Sequence, residues 1–523
     1  MIYRGRAEDL PGFETCRALA EHAVAEAVSR AGAGDPETGA RITRDALRGL
    51  VGEGANVLAG IALAETAMAQ AAGAALPLSG LARTGGFHAF QDAARRDGAR
   101  GLAVHLAVFL ADWTDGLSAV MTRLAADAAA LEEMFAVPRA ARIVGLVGAG
   151  GEYHRGACVR RIDFDDGTRI AYKPRPVERE LVWHTLSEWL CGQGAASVLY
   201  APQTLKRGDY GWSRWVDPRA ATDSAELEAY FRHAGQLLFW LWLTNSRDAV
   251  ASNLVARGAA PWLIDCETCF YPGADEPAPP LAQTGLLPTA GAEPERARAG
   301  LAVSVAPRHS VRHFSVGADG RLVLARRDIA DDGLANLPRL DGRAVSARGR
   351  AEEVLRGFHE AAGDALRLRE GLLADGGPLR APAGGGRFVL RATVLYGELM
   401  AGYLARGRAP AWLETMLCEL PTSVALDPRV ETALRAREFD ELTRISMPKF
   451  FYEDAAAARG GSPRLIDGGL ALSPLRCGRA IARARLAGLR EGDLAALEGE
   501  IRAALTGEEE GCPERRGAAL TSG

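Results

Sequence analysis

The 523-residue sequence lacks the marks of secreted, membrane and nucleic-acid-binding proteins. Its eight cysteines are scattered, so no disulfide framework is indicated. The longest wholly apolar run, residues 237–243, is far too short to cross a bilayer. With 62 basic and 66 acidic residues the formal net charge is -4, which predicts no general attraction to nucleic acid or membrane. Residues 1–13 are charged and do not resemble a signal peptide. We expect a cytoplasmic globular protein.

Lysine is scarce. Of the 62 basic residues only Lys173, Lys206 and Lys449 are lysine, and arginine supplies the rest. A planar guanidinium cannot replace a compact ammonium at every site, so a lysine retained here is informative about local chemistry. The alternative for each lysine taken singly is that it was retained by chance.

Metal-binding cysteine patterns are also missing. Cys266 and Cys269 form a lone CxxC, but the sequence contains no second pair. The nearest histidines, His233 and His309, lie outside the spacing of a zinc finger. We interpret this CxxC as a coincidence and predict no zinc site.

Apolar periodicity predicts a core-packed helix over residues 101–135 and mainly helix in the hundred residues before it. A glycine-rich segment at 144–156 then leads into a hairpin, with strands at 159–164 and 168–173. The further predicted elements are a helix at 177–190, strands at 198–205 and 210–216, a buried helix at 227–241, strands at 253–256 and 261–265, a surface loop at 271–296, and helices at 350–373, 394–407 and through much of 410–505.

The order of parts between residues 148 and 267 predicts chemistry. The second strand of the hairpin carries Lys173, a loop after the buried helix carries Asp248 and Asn253, and a tight hairpin then leads to Asp265. This is the layout of a protein-kinase-like phosphotransferase, in which a glycine loop is followed by a strand lysine, an Asp-x4-Asn motif and a metal-binding Asp. An ammonium would hold the phosphates of ATP, Asn253 and Asp265 would bind Mg²⁺ through hard oxygens, and Asp248 would accept the proton of the attacking hydroxyl.

These observations predict an α+β fold class. Its centre is a protein-kinase-like two-lobed core, with a small antiparallel sheet and a helical lobe, flanked by extra helical N-terminal and C-terminal regions. The predicted divisions are a helical N-terminal region (1–140), a nucleotide-binding and catalytic core (141–275), a helical region that includes an elimination site (276–505) and a disordered tail (506–523).

Six stretches also resemble a narrower family, the dehydratase domain of class II lanthipeptide synthetases (LanM type), in a stand-alone form without the cyclase domain. The stretches are GEYHRG (151–156), FDDGTRIAYKPR (164–175), RDAVASNLVARGAAPWLIDCETCF (247–270), TGLLP (284–288), GRFVLRATVLYGEL (386–399) and ISMPKF (445–450). They occur in family order from about residue 150 to 450.

The resemblance implies a transferase and lyase of peptide biosynthesis. Such enzymes use ATP and Mg²⁺ to phosphorylate Ser and Thr of a ribosomally made precursor peptide with a leader, and then eliminate phosphate to leave dehydroalanine or dehydrobutyrine. Lys173, Asp248, Asn253 and Asp265 fall on phosphorylation positions. Five further residues also match family positions. Glu152, His154 and Glu267 are implied in nucleotide binding, and Arg387 and Thr393 in elimination.

The residues around Arg387 support the second half of this chemistry. Alternation along a strand-like segment would put Arg387, Val389, Arg391 and Thr393 on one face, where the two arginines and the hydroxyl could clamp a phosphate. The competing interpretation is a solvated basic strand edge.

The sequence departs from the family at three points. Val250 stands where the family's catalytic loop has a histidine, and Glu152 stands where it has an aspartate. No histidine follows His359, so the family's zinc-dependent cyclase site cannot be built, and we expect a separate cyclase or other modifying enzyme as partner. Two alternatives stay open: a peptide Ser/Thr kinase without elimination, and a catalytically silent scaffold that binds the precursor.

Overall fold

A computed structural model describes the chain from residue 102 to residue 506 with gaps. The described ranges are 102–148, 154–274, 280–289, 298–305, 308–316, 322–330, 335–380, 384–405, 409–444, 446–454 and 462–506. The predicted N-terminal helices before residue 101 and the predicted tail lie outside them. No helix within these ranges is long and apolar enough to cross a bilayer.

The first described elements are one long helix and five strands. They are α1 (Leu102–Phe135), β1 (Ile143–Gly148), β2 (Arg160–Phe164), β3 (Arg169–Lys173), β4 (Thr204–Lys206) and β5 (Gly211–Arg214). The strands form an antiparallel sheet with strand order β1-β2-β3-β5-β4. The predicted hairpin is confirmed by the pairing of β2 with β3, whereas β4 and β5 are shorter than predicted.

Helix α2 (Glu178–Gly192) follows β3 directly, and helix α3 (Ser224–Leu243) forms the centre of the main apolar core. Asp223 caps α3 by accepting a hydrogen bond from the backbone N–H of Glu226. Helix α3 packs on α4 (Ala351–Arg367) at Gly235 and Gly357. A Cβ on Gly235 would lie 1.9 Å from the Val354 carbonyl oxygen, so this close crossing requires glycine. The packed pair fixes the point from which the following polar loop emerges.

That loop ends in the predicted tight hairpin, formed by β6 (Leu254–Arg257) and β7 (Ala260–Leu263). Both strands lie within one or two residues of their predicted bounds. The expectation of a surface loop at 271–296 is wrong for the described part, because Leu281, Leu286 and Leu287 are buried. These leucines join the apolar core around α3, so the segment packs inward.

The remaining elements confirm the predicted helices at 350–373 and 394–407 and add small sheets that the sequence did not predict. The helices are α5 (Arg369–Leu373), α6 (Thr393–Ala405), α7 (Pro410–Glu419), α8 (Pro428–Thr443), α9 (Gly478–Gly488) and α10 (Leu494–Thr506). The strands are β8 (Arg308–Val316), β9 (Leu322–Ala330), β10 (Arg339–Leu340), β11 (Arg343–Ala344), β12 (Gly385–Phe388), β13 (Phe450–Glu453) and β14 (Arg464–Leu465).

The expected strand from Arg387 to Thr393 is wrong. Strand β12 ends at Phe388, and Thr393 is the first residue of α6, so alternation does not place these two side chains on one strand face. The strand stops because its partner β13 begins opposite Phe388, at Phe450. The predicted α+β class is confirmed: helices and several small antiparallel sheets make up the described chain.

Candidate functional site

Lys173 ends β3, the central strand of the five-stranded sheet, and its side chain is buried. Its Nζ donates to Glu180 Oε1 at 3.0 Å and to the Ile264 carbonyl oxygen at 2.7 Å. Glu180 lies in the first turn of α2, so the ammonium ties the sheet to this helix and to the segment after β7. The ion pair is almost completely removed from water, because the two side chains are 5% and 0% exposed.

Arg175 extends this contact into a network of three carboxylates. Its Nη2 lies 2.7 Å from both Glu180 Oε1 and Asp265 Oδ1, and its Nε lies 2.9 Å from Glu267 Oε2. One buried guanidinium therefore holds the metal-binding candidate Asp265 and the nucleotide-binding candidate Glu267 against α2.

Burial and these cations set the charge state of each acid. Burial raises the pKa of Glu180, but Arg175 and Lys173 outweigh it and bring that pKa down to about 2. For Glu267, burial is outweighed by Arg387 and Arg175, which also lower its pKa to about 2. Burial prevails at Asp265, whose pKa is raised despite the neighbouring Arg175. Glu180 and Glu267 are thus anions at neutral pH, whereas burial holds the pKa of Asp265 above its ordinary value.

Arg387 joins the network from the other side. It lies in β12, its backbone N–H donates to the Glu267 carbonyl at 2.9 Å, and its Nη1 lies 2.6 Å from Glu267 Oε1. Both side chains are buried. A chain of ion pairs therefore runs from Lys173 through Glu180, Arg175 and Glu267 to Arg387, and it links the predicted phosphorylation residues with the predicted elimination arginine.

Asp248 and Asn253 lie together in the loop after α3. The Asn253 Nδ2 donates to the Asp248 carbonyl at 2.8 Å and to Asp248 Oδ2 at 3.2 Å. Asp248 has a backbone φ of 61°, a left-handed conformation that aspartate adopts more readily than most residues, and its side chain is exposed. The Ile264 N–H donates to the Asn253 carbonyl at 3.0 Å. Because Ile264 also accepts from Lys173, the loop is linked to the buried network.

His154 begins the described part of the glycine-rich segment and is tied to the segment before β13. Its Nδ1 lies 2.7 Å from the Met447 carbonyl oxygen, which can only accept, so Nδ1 carries the proton. The Arg155 N–H donates to Ser446 Oγ at 3.2 Å. Burial lowers the pKa of His154, which keeps the ring neutral near pH 7. Glu152, the other residue expected in this segment, lies outside the described residues.

Arg391 and Thr393 are placed differently from Arg387. Arg391 is buried, and its Nε lies 2.9 Å from Glu438 Oε1. Its Nη2 donates to the Leu417 carbonyl at 3.0 Å and its Nη1 to the Pro421 carbonyl at 3.1 Å, so it binds the end of α7. Thr393 is half-buried at the start of α6. Arg391 therefore links Glu438 to the end of α7 and does not share a strand face with Arg387.

Two side chains of the network, Arg175 and Glu180, were not predicted from the sequence. Arg175 was present in the YKPR segment that carried the resemblance, and Glu180 lies seven residues after Lys173 in a predicted helix. Both could have been found by asking which acid neutralises a buried strand lysine. Lys449 was noted for its rarity and precedes β13 by one residue.

Val250 and the CxxC pair lie close to the network. Val250 forms a β-bridge with Ala299, and its Cγ1 would lie 3.2 Å from a Cβ on Gly285. Cys266 and Cys269 are buried free thiols on either side of Glu267. Within the described residues, no group of three or more Cys, His, Asp or Glu side chains is arranged to hold a metal ion.

Comparisons with known proteins agree with the resemblance. A family described as "Domain of unknown function (DUF4135)" matches residues 101–453, which contain the described site residues from His154 to Lys449. A stretch of 128 residues is 26% identical to "Lacticin 481/lactococcin biosynthesis protein LcnDR2" of Lactococcus lactis subsp. lactis. This match covers 23% of the chain and only 14% of that relative. The chain belongs to the DUF4135 family and is related to the LanM-type lanthipeptide synthetases.

Proposed function

We propose that the chain is an ATP-dependent peptide dehydratase. It phosphorylates Ser and Thr hydroxyls of a ribosomally made precursor peptide and then eliminates the phosphate, which leaves dehydroalanine or dehydrobutyrine. The observation that carries the proposal is the buried ion-pair chain from Lys173 to Arg387. Because both half-sites share one network, a newly phosphorylated residue would remain beside the groups that remove its phosphate.

The nucleotide half of the proposal is a protein-kinase-like cleft between the five-stranded sheet and the loop after α3. A strand lysine paired with a helix glutamate is the arrangement that kinases use to hold ATP phosphates, and Lys173 with Glu180 supplies this pair. Asn253 and Asp265 offer amide and carboxylate oxygens, which fit Mg²⁺. Among the described residues the hydrogen bonds to Asp265 go to Oδ1, which leaves Oδ2 for a cation. Bound ATP would supply the phosphoryl group, and Mg²⁺ would neutralise part of the phosphate charge.

Asp248 takes the role of the base in phosphorylation. Its exposed carboxylate accepts the proton of a Ser or Thr hydroxyl while that oxygen bonds to the γ-phosphorus and ADP departs. Asn253 holds the carboxylate through its Nδ2, which fixes the base relative to the metal-binding side. Val250 puts an apolar side chain where the family has histidine, so phosphoryl transfer here depends on Asp248 without an imidazole beside it.

Arg387 takes the role of the phosphate-binding cation in elimination. The proton on Cα leaves to a base, the Cα–H electrons form the Cα–Cβ double bond, and the Cβ–O bond breaks as phosphate departs. A cation beside the departing oxygen stabilises its developing charge. The Thr393 hydroxyl would donate a hydrogen bond to the same phosphate, while Arg391 positions the start of α6 through Glu438.

A peptide kinase that stops at phosphorylation is the second candidate. It is favoured by one observation, the commitment of the Arg391 guanidinium to Glu438 and the end of α7, which removes one expected cation from the phosphate clamp. A scaffold without catalysis is the third alternative.

The test is mass spectrometry of a candidate precursor, a peptide with a leader that is encoded beside this chain's gene, after incubation with the purified chain and Mg-ATP. Loss of one water per modified residue supports dehydration, stable gain of phosphate indicates a kinase, and an unchanged mass indicates a scaffold. We expect Asp248→Asn to abolish both products and Arg387→Ala to accumulate phosphopeptide. The control is Asp209→Asn, since Asp209 is 78% exposed in a surface ion pair with Arg123. A fully dehydrated product from Arg387→Ala would refute its role.

A further inference from the structure

Lys449 lies where the two halves of the site meet. The segment before it contacts the glycine-rich segment, through the Met447 carbonyl to His154 and through Ser446 to Arg155. The strand after it, β13, pairs with the Arg387 strand β12. Lys449 is therefore placed between the predicted nucleotide loop and the elimination arginine, and its side chain is half-buried.

The register of β12 and β13 brings the chain at Lys449 alongside the Arg387 strand. Phe451 lies directly opposite Arg387 and shares its face, and Lys449 is two residues before Phe451, immediately before β13 begins. Phe450 and Tyr452, which point the other way, are both buried in an apolar cluster. Diagonal neighbours on one face of an antiparallel pair are within reach of long side chains.

Electrostatics gives the same placement. Lys449 lowers the pKa of Glu267, the carboxylate that Arg387 contacts, and also lowers the pKa of His154. Lys449 thus acts on Glu267 together with Arg387 and Arg175.

The charges of the network explain why a further cation is useful. Arg387 is paired with Glu267 at 2.6 Å, and this carboxylate offsets part of the attraction of Arg387 for a dianionic phosphate. Arg175 is likewise bound to carboxylates, and Lys173 is bound to Glu180. Lys449 adds a fourth cation beside Lys173, Arg175 and Arg387, and like Arg387 and Arg175 it acts on Glu267.

We propose that Lys449 is a second phosphate-binding cation of the elimination step and holds the departing phosphate together with Arg387. This assignment rests on the proposed dehydratase function. It also explains why a chain that uses arginine almost everywhere retains lysine here: a compact ammonium fits beside the Arg387 guanidinium, whose own pairing with Glu267 is fixed.

The experiment separates elimination from phosphorylation. The substrate is a synthetic phosphoserine form of the precursor peptide encoded beside the gene, and release of inorganic phosphate is measured for wild type, Lys449→Met and Lys449→Arg. We expect Lys449→Met to slow release by about 100-fold, as for loss of one preorganised charge-stabilising group, and Lys449→Arg to stay within about 10-fold of wild type. The control is Lys206→Met, whose lysine is 46% exposed and pairs with Glu178, and its rate should match wild type.

A second measurement guards against a folding defect. Lys449→Met is incubated with unphosphorylated precursor and Mg-ATP, and phosphopeptide should accumulate, which shows a folded enzyme arrested at elimination. Unchanged phosphate release in Lys449→Met overturns the proposal, and so does equal loss of phosphorylation and elimination at an unchanged melting temperature. If wild type itself releases no phosphate from the phosphopeptide, the dehydratase function fails, and the role of Lys449 fails with it.

Discussion

Replacing the buried carboxylate of Glu180 by an amide, Glu180→Gln, tests the ion-pair network most directly. The side chain keeps its size, but Lys173 and Arg175 lose the anion that both contact. Lowering the pKa of Glu180 from 4.5 to about 2 corresponds to about 3 kcal/mol of stabilisation at neutral pH. Removing one partner of a buried ion pair lowers stability by about 3–5 kcal/mol in measured cases, a range that includes this value.

The pH dependence gives this prediction a second readout. Because the pKa of Glu180 is lower in the folded chain, the folded state binds fewer protons, so the stabilisation is complete above about pH 5 and is lost as the pH falls toward 2. The difference between wild type and Glu180→Gln should therefore be about 1 kcal/mol smaller at pH 4 than at pH 7.

Urea unfolding followed by tryptophan fluorescence measures both quantities. The matched control is Glu188→Gln, the same change on the same helix, since Glu188 is 69% exposed and pairs with His184. It should cost less than about 0.5 kcal/mol. A cost below about 1 kcal/mol for Glu180→Gln, or a cost that does not change with pH, would refute the argument that Glu180 is a fixed buried anion.

Two further predictions concern the loop around Asp248 and the role of Arg391. Gly285→Ala should reduce phosphorylation at least about 10-fold in a peptide phosphorylation assay, because its backbone φ is 78° and the new Cβ would lie 2.9 Å from the Ala249 nitrogen, beside Asp248. The control is Gly349→Ala, because Gly349 has a similar φ of 75° but open space around the new Cβ. It should lower the free energy of unfolding by about 1 kcal/mol and leave phosphorylation intact. Equal phosphorylation by the two variants would contradict the packing argument. Arg391→Gln should lower the free energy of unfolding in urea by about 3–5 kcal/mol but retain dehydration per folded molecule. A variant that is stable but inactive would indicate instead that Arg391 binds the phosphate.

Local patterns in the sequence predicted the parts of the site that depend on near neighbours. Strand alternation and a turn signal located the hairpin that carries Lys173, and the spacing of Asp248 and Asn253 predicted two residues that do contact each other. The same rules failed beyond β12, since the length of that strand is set by its partner β13, more than sixty positions away in the numbering. Loop burial at Leu286 and Leu287 was missed because it depends on the core around α3.

The sequence by itself determined the fold class, the order of the chemical groups and the rarity of lysine, because these follow from composition and short-range periodicity. Tertiary structure decided which charges meet: Arg175 contacts Asp265 across 90 positions, and Arg387 contacts Glu267 across 120. It also placed the Arg391 guanidinium against Glu438 and the end of α7. The physical reason is that an ion pair and its strength depend on distance and on removal from water, and both are set by packing between distant segments.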